Sequence, residues 1–159
     1  MPITWVYVDD QEDSLRKMRP YTWKIVNALQ TDAKRKGVLK GKDFGSFWNN
    51  LDDITHDPTK CFVAVHTATK QIIGYMVLDK AIGFNSDAAG TTATVNVFEV
   101  FPRWRTKGNG TEMLEWLIHK AQTRGYSSLR LQPANKSEGF WEKNGFIELD
   151  HGYLTLPIA

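Results

Sequence analysis

The densest chemistry in the chain is the run Arg103-Trp104-Arg105-Thr106-Lys107-Gly108-Asn109-Gly110-Thr111. Three cations and two glycines stand immediately before an amphipathic pattern. A strand that ends here and turns into a helix leaves several N–H groups without intrahelical partners. Successive N–H groups in such a turn form a concave nest for an anion. The helix dipole adds favourable potential at the same place. Gly108 and Gly110 permit positive φ and close approach of a ligand to the backbone. The chemistry is that of a phosphate site, above all one for a pyrophosphate. No third glycine completes a dinucleotide fingerprint, and no Gly-Lys-Ser/Thr completes a P-loop.

The elements that must position this turn follow from period and punctuation. Residues 94–101 alternate as a strand and end at Val100-Phe101-Pro102. A helix is predicted over about 111–124, with Met113, Leu114, Leu117, Ile118 and Ala121 as its buried stripe and Gly125 as its stop. Upstream, residues 3–8 read as an opening strand. Asp13-Ser14 caps a first short helix, Pro20 either kinks it or sits in the first turn of a second running over about 21–36, and Asp43 caps the next, carrying Phe44, Phe47, Trp48 and Leu51 on one face. A hairpin of strands 61–65 and 71–78 turns at 67–70, and residues 80–91 form a loop. Strand 128–132, helix 137–143 and strands 145–149 and 153–156 close the chain. The order is β-α-α-β-β-β-α-β-α-β-β. The hairpin is antiparallel, and the unit at 94–132 is a right-handed parallel crossover. The expected fold class is α/β: one domain over 1–159, with a mixed, twisted sheet of about six or seven strands and helices on both faces.

Composition removes other classes. The chain has 159 residues, 42% of them hydrophobic, with a net charge of +2. That balance does not suggest a nucleic-acid-coating protein. The basic run at 34–42 reads as a solvated helix end and loop. Cys61 is the single cysteine, and His56, His66, His119 and His151 lack metal-ligand spacing, so no metal is expected. The N-terminus shows no secretory pattern, and the apolar stretch 72–78 is far below the roughly 20 residues that span a bilayer. A cytoplasmic setting without membrane contact is the expectation.

The longer pattern Val100-x-Pro102-x-Trp104-Arg105-x-x-Gly108-x-Gly110-x-x-x-Leu114 resembles the acetyl-CoA-binding motif of the GCN5-related N-acetyltransferase (GNAT) superfamily. Phe140-Trp141-Glu142-Lys143-Asn144-Gly145-Phe146 resembles that family's late Phe-Tyr-x-x-x-Gly-Phe segment, and the element order is similar to that fold along nearly the whole chain. The resemblance implies acetyl-CoA as cofactor. Its pyrophosphate would lie on the N–H groups of Arg105, Thr106, Lys107, Gly108, Asn109, Gly110 and Thr111. Its pantetheine arm would lie like an added strand between the strands ending near Val100 and beginning near Ser128. Asn135 resembles the family's coenzyme-contacting Asn, one residue closer to Trp141 than usual.

The implied reaction is acetyl transfer to a primary amine of a small molecule or a protein, by direct attack on the thioester. It needs a neutral amine, a stabilised oxyanion and a departing thiolate. Main-chain N–H at Val100 or Phe101 would serve the oxyanion. Where relatives often carry Glu or His, this chain has Thr94 and Asn96. Asn96 would orient the amine or a water, and Glu99 is the carboxylate on the same strand, on the other face by alternation. Trp141 replaces the family's thiolate-directed Tyr, and an indole N–H is no general acid at neutral pH. Tyr153 is the phenol nearest to taking that role. These departures leave an alternative: a catalytically degenerate effector on the same fold that binds a partner protein, or a second copy, with or without CoA.

Overall fold

The computed structural model describes residues 3–7, 60–81, 90–133 and 137–159. The helices expected over 13–51, most of the 80–91 loop and Asn135 lie outside the described residues. The elements are β1 (Ile3–Val6), β2 (Cys61–His66), β3 (Ile72–Lys80), β4 (Thr92–Val100), a 3-10 turn (Pro102–Trp104) and α1 (Asn109–Thr123). Then come β5 (Ser128–Leu131), α2 (Glu138–Lys143), β6 (Ile147–Glu148), a second 3-10 turn (Asp150–Gly152) and β7 (Leu154–Pro157). The strands form one seven-stranded sheet in the order β1-β2-β3-β4-β5-β7-β6. It is mixed: β4 and β5 run parallel, while β1–β2, β2–β3, β5–β7 and β6–β7 pair antiparallel. No helix among the described residues is long and apolar enough to cross a membrane.

Backbone contacts divide the chain into two compact units, Met1–Val77 with Val97–Lys107, and Leu78–Asn96 with Gly108–Ala159. In the first, Cys61 to Val65 are all buried, which is why this run reads as continuously apolar and not alternating. Val6, Cys61, Val63, Val65, Tyr75, Val77 and Phe101 pack into one cluster, with Val97 and Trp104 against it. The β2–β3 hairpin turns where expected: His66 N–H donates to the Gln71 carbonyl and Lys70 N–H to the His66 carbonyl, each at 2.8 Å.

In the second unit, α1 buries Met113, Leu114, Leu117 and Ala121 as predicted. Ile118 is only half-buried, and Asn109 joins the buried set at the first turn. The helix ends at Gly125 (φ +87°), with Gly125 N–H donating to the Gln122 carbonyl and Tyr126 N–H to that of Ala121. This is a Schellman stop, in which the left-handed glycine lets two terminal carbonyls find donors. The third strand of the hairpin block begins two residues earlier than its sequence pattern suggests, and β3 runs on through Asp79 and Lys80. Ala81 N–H donates to the Thr92 carbonyl at 3.0 Å, so pairing with β4 carries the strand through polar residues that local propensity leaves as loop.

Candidate functional site

The run from Val100 into α1 is built as the sequence demands, with two differences. Phe101 N–H donates to the Ile73 carbonyl at 2.9 Å, and Trp104 N–H turns back to the Phe101 carbonyl at 2.8 Å. Arg105 Nε donates to the Val100 carbonyl and Arg105 Nη2 to Glu99 Oε1, each at 2.7 Å. The guanidinium thus faces its own strand end and straps the turn. Its contribution to an anion would come from the main chain. Trp104 stacks on His66 with centroids 5.3 Å apart, and the Arg103 guanidinium and Lys107 ammonium lie 5.4 and 5.6 Å from its ring. Such cation–π contacts hold positive charge close to the turn.

Gly108 is the residue before α1, in the left-handed region at φ +80°, with no side chain to cap the helix. A Cβ built there meets no protein atom within 4 Å. The start of α1 therefore lies beside open space into which a side chain at Gly108 would project. Gly110 does not use its freedom at positive φ; it is a helical residue. The second left-handed residue is Thr106, at φ +63°, with its hydroxyl donating to the Arg105 carbonyl at 2.6 Å. A β-branched residue there is strained, and no sequence signal points to it.

A cleft of about 330 Å³ in the second unit is lined by Asp79, Lys80, Thr94, Val95, Asn96, Gln132 and Tyr153. Strand register explains why. The parallel β4–β5 pairing runs from Thr92↔Ser128 to Thr94↔Arg130. Asn96 and Gln132 each lie two residues beyond that last pair, on the same face. Leu131 pairs with Leu154 across β5–β7, which sets Tyr153 opposite Gln132. The Ala81–Thr92 bond brings the end of β3 beside the start of β4, where Asp79 and Lys80 join the cleft lining. Among its described lining residues the cleft thus collects amides, a hydroxyl, a phenol, one carboxylate and one ammonium from β3, β4 and the residues flanking β5 and β7. The sequence pointed to Asn96 and Tyr153 separately; the fold brings them together. It missed Asp79 and Gln132, which sat at the edge of a predicted loop and the end of a predicted strand.

The other candidates fall elsewhere. Glu99 is not among the cleft residues and is held by Arg105. Phe101 N–H is already engaged inside the sheet. Trp141 is buried between Phe140 and Phe146, its ring edge-on to both at 5.0 and 5.2 Å. Among the described residues no group of histidine, cysteine and carboxylate side chains is placed to hold a metal. Glu99→Gln keeps the shape but drops the charge. With the Arg105 and Glu99 side chains 41% and 30% exposed, the pair contributes at most about 1 kcal/mol. Turnover of Glu99→Gln is expected within a few-fold of wild type in a steady-state assay. Loss of all turnover from a folded variant would make Glu99 the base.

The model of the acetyltransferase (GNAT) family matches residues 23–146. A search of curated proteins finds no match. Among solved structures, an acetyltransferase of the GNAT family from Staphylococcus aureus Mu50 is similar at 14% identity, TM-score 0.67, with 99% of each chain covered. Tetrahymena GCN5 is similar at 15% identity, TM-score 0.63, covering 100% of this chain and 97% of that one. A chain of the NatC complex, solved with a Gag peptide and CoA, is similar at 18% identity, TM-score 0.63, with 100% of each chain covered. At these identities the likeness is one of fold. With the family model spanning most of its length, over the strand, turn and helix described above, the chain belongs to the GNAT acetyltransferase family.

Proposed function

We propose that this chain transfers an acetyl group from acetyl-CoA to a primary amine. The observation that carries the reading is Gly108: a left-handed residue at a helix start where a side chain would fill open space. That is the form of a phosphate seat on main-chain N–H groups. The N–H groups from Arg105 to Thr111 would hold the pyrophosphate, with Arg103 and Lys107 adding charge near Trp104. The CoA bound in the related NatC complex supports the same ligand here.

Acetyl-CoA, when bound, supplies an activated thioester. The protein's part is to orient, exclude water and manage protons. Asn96 faces the cleft and would orient the amine or a water by its amide. Tyr153 lines the same cleft and would donate toward the departing sulfur. A thiol pKa of about 8.5 makes that help useful and not obligatory. The amine, with a pKa near 10.4, must lose its proton before attack. The turnover rate should therefore rise toward alkaline pH.

Calorimetry and thermal melting with CoA and acetyl-CoA test the reading. At 100 times its dissociation constant, a ligand that binds only the folded state adds about 2.7 kcal/mol. For a chain of this size that is a rise of roughly 5–10 °C. A melt unchanged by saturating CoA, acetyl-CoA and longer acyl-CoAs overturns it. CoA binding without acetylation of any amine or lysate protein would favour the effector reading instead.

A further inference from the structure

We propose that the side chain of Arg105 is a positioning group for the coenzyme: it clasps the end of β4 and holds the turn in the form that receives the pyrophosphate, without touching the ligand. This rests on the acetyl-transfer reading above and assigns a side chain to that same site. One guanidinium makes both holds. Its Nε donates to the Val100 carbonyl and its Nη2 to Glu99 Oε1, each at 2.7 Å. A side chain thus ties residue 105 back to residues 99 and 100. Inside that span, Trp104 N–H donates to the Phe101 carbonyl at 2.8 Å. The turn is closed twice, once by main chain and once by Arg105.

The next residue shows why a hold is needed. Thr106 is left-handed at φ +63°, and its hydroxyl donates to the Arg105 carbonyl at 2.6 Å. A β-branched residue stays in that region only where its surroundings over-determine it. An anchored Arg105 fixes the peptide that enters Thr106. With the anchor gone, the peptide planes around Thr106 are free to relax, and the N–H groups of the turn lose their common aim. Apparent affinity falls with the fraction of protein whose turn is correctly formed.

A guanidinium beside an anion site is ordinarily a direct contact. Here Glu99 takes one arm of the fork, and Arg103 and Lys107, against the Trp104 ring, supply the positive field instead. The two roles part on the sign of one effect. If Arg105 acts on the ligand by its charge, Glu99 competes with the anion, and removing the carboxylate charge tightens CoA binding. If Arg105 acts by holding the turn, Glu99 is its second anchor, and removing that charge loosens CoA binding.

The test is calorimetry of CoA on the wild type, Glu99→Gln, Arg105→Lys, Arg105→Met and the double variant of Glu99→Gln with Arg105→Met, each with a thermal melt. The double-mutant cycle isolates the pair, so other contacts of Glu99 cancel. Glu99→Gln is expected to weaken CoA about 2- to 5-fold, the range of an exposed ion pair. Arg105→Met loses both holds and should weaken it about 10-fold. The double variant should lose clearly less than the product of the two. Lysine keeps the charge but not the two-armed fork, so Arg105→Lys should lie closer to Arg105→Met than to the wild type. All melts should stay within a few degrees. CoA affinity unchanged or raised in Glu99→Gln overturns the proposal, as does wild-type affinity in Arg105→Lys. A double variant that loses the full product also overturns it. A melt lowered by about 10 °C or more would make the pair a support of the whole fold and overturns it too. Each of these leaves acetyl transfer standing. Absence of CoA binding in the wild type overturns the parent reading and this one together.

Discussion

Gly108→Val is expected to weaken coenzyme A binding by about 100-fold or more while the protein still folds. The residue lies at φ +80°, where an L-residue costs about 1–2 kcal/mol and a β-branched one more. The built Cβ meets nothing within 4 Å, so the folding cost is confined to backbone strain, a few degrees of melting temperature for a chain of this size. The binding cost is larger. The side chain would stand where an anion must approach the α1 N–H groups, and a turn relaxed away from the left-handed region would aim those groups elsewhere. Losing two charge-assisted hydrogen bonds of about 1.5 kcal/mol each already amounts to more than 100-fold. Calorimetry of CoA alongside a thermal melt separates the two effects. Wild-type affinity in a folded Gly108→Val would mean the anion sits elsewhere.

Trp141→Ala is expected to be among the most destabilising single substitutions, at about 3–5 kcal/mol. Trp141 is buried, and its ring meets Phe140 and Phe146 edge-on, at interplanar angles of 74° and 71°. Its carbonyl also accepts the Phe146 N–H at 3.1 Å, which closes the end of α2. Truncation leaves a cavity and removes two aromatic contacts, each worth about 0.5–1.5 kcal/mol beyond area. A fall in melting temperature of about 10 °C or more is expected. Trp141→Phe fills most of the space, and its turnover should drop less than tenfold, because an indole has no proton to deliver at neutral pH. A folded Trp141→Phe with no turnover would mean that the indole N–H touches the departing sulfur.

How much of this was legible in the residues depends on the distance over which each feature is decided. The strand–turn–helix unit from β4 into α1 was readable because its causes are local. Alternation, two glycines, a stripe at helical spacing and Gly125 all act within a few residues of one another. The β2–β3 hairpin and the stop of α1 followed for the same reason, and the resemblance carried by residues 100–114 and 140–146 placed the chain in its family. Local reasoning also put Asn96 and Glu99 on different faces. Whether either met a partner was beyond it: Glu99 is taken by Arg105, six residues on, and Asn96 opens into the cleft.

Composition and period by themselves determined a mixed α/β fold, the order of its described strands and helices and the glycine turn before α1, because each reflects steric and hydrophobic preferences of neighbouring residues. Only the tertiary structure decided which polar side chains share a site. Asp79, Asn96, Gln132 and Tyr153 are far apart in the chain and meet because strand register brings them into line. Register is fixed by hydrogen bonds between strands and by packing across the sheet. The same non-local pairing drew β3 on to Lys80 against local propensity. The closing of the backbone between β4 and α1 held Thr106 left-handed, which no β-branched residue adopts on its own account.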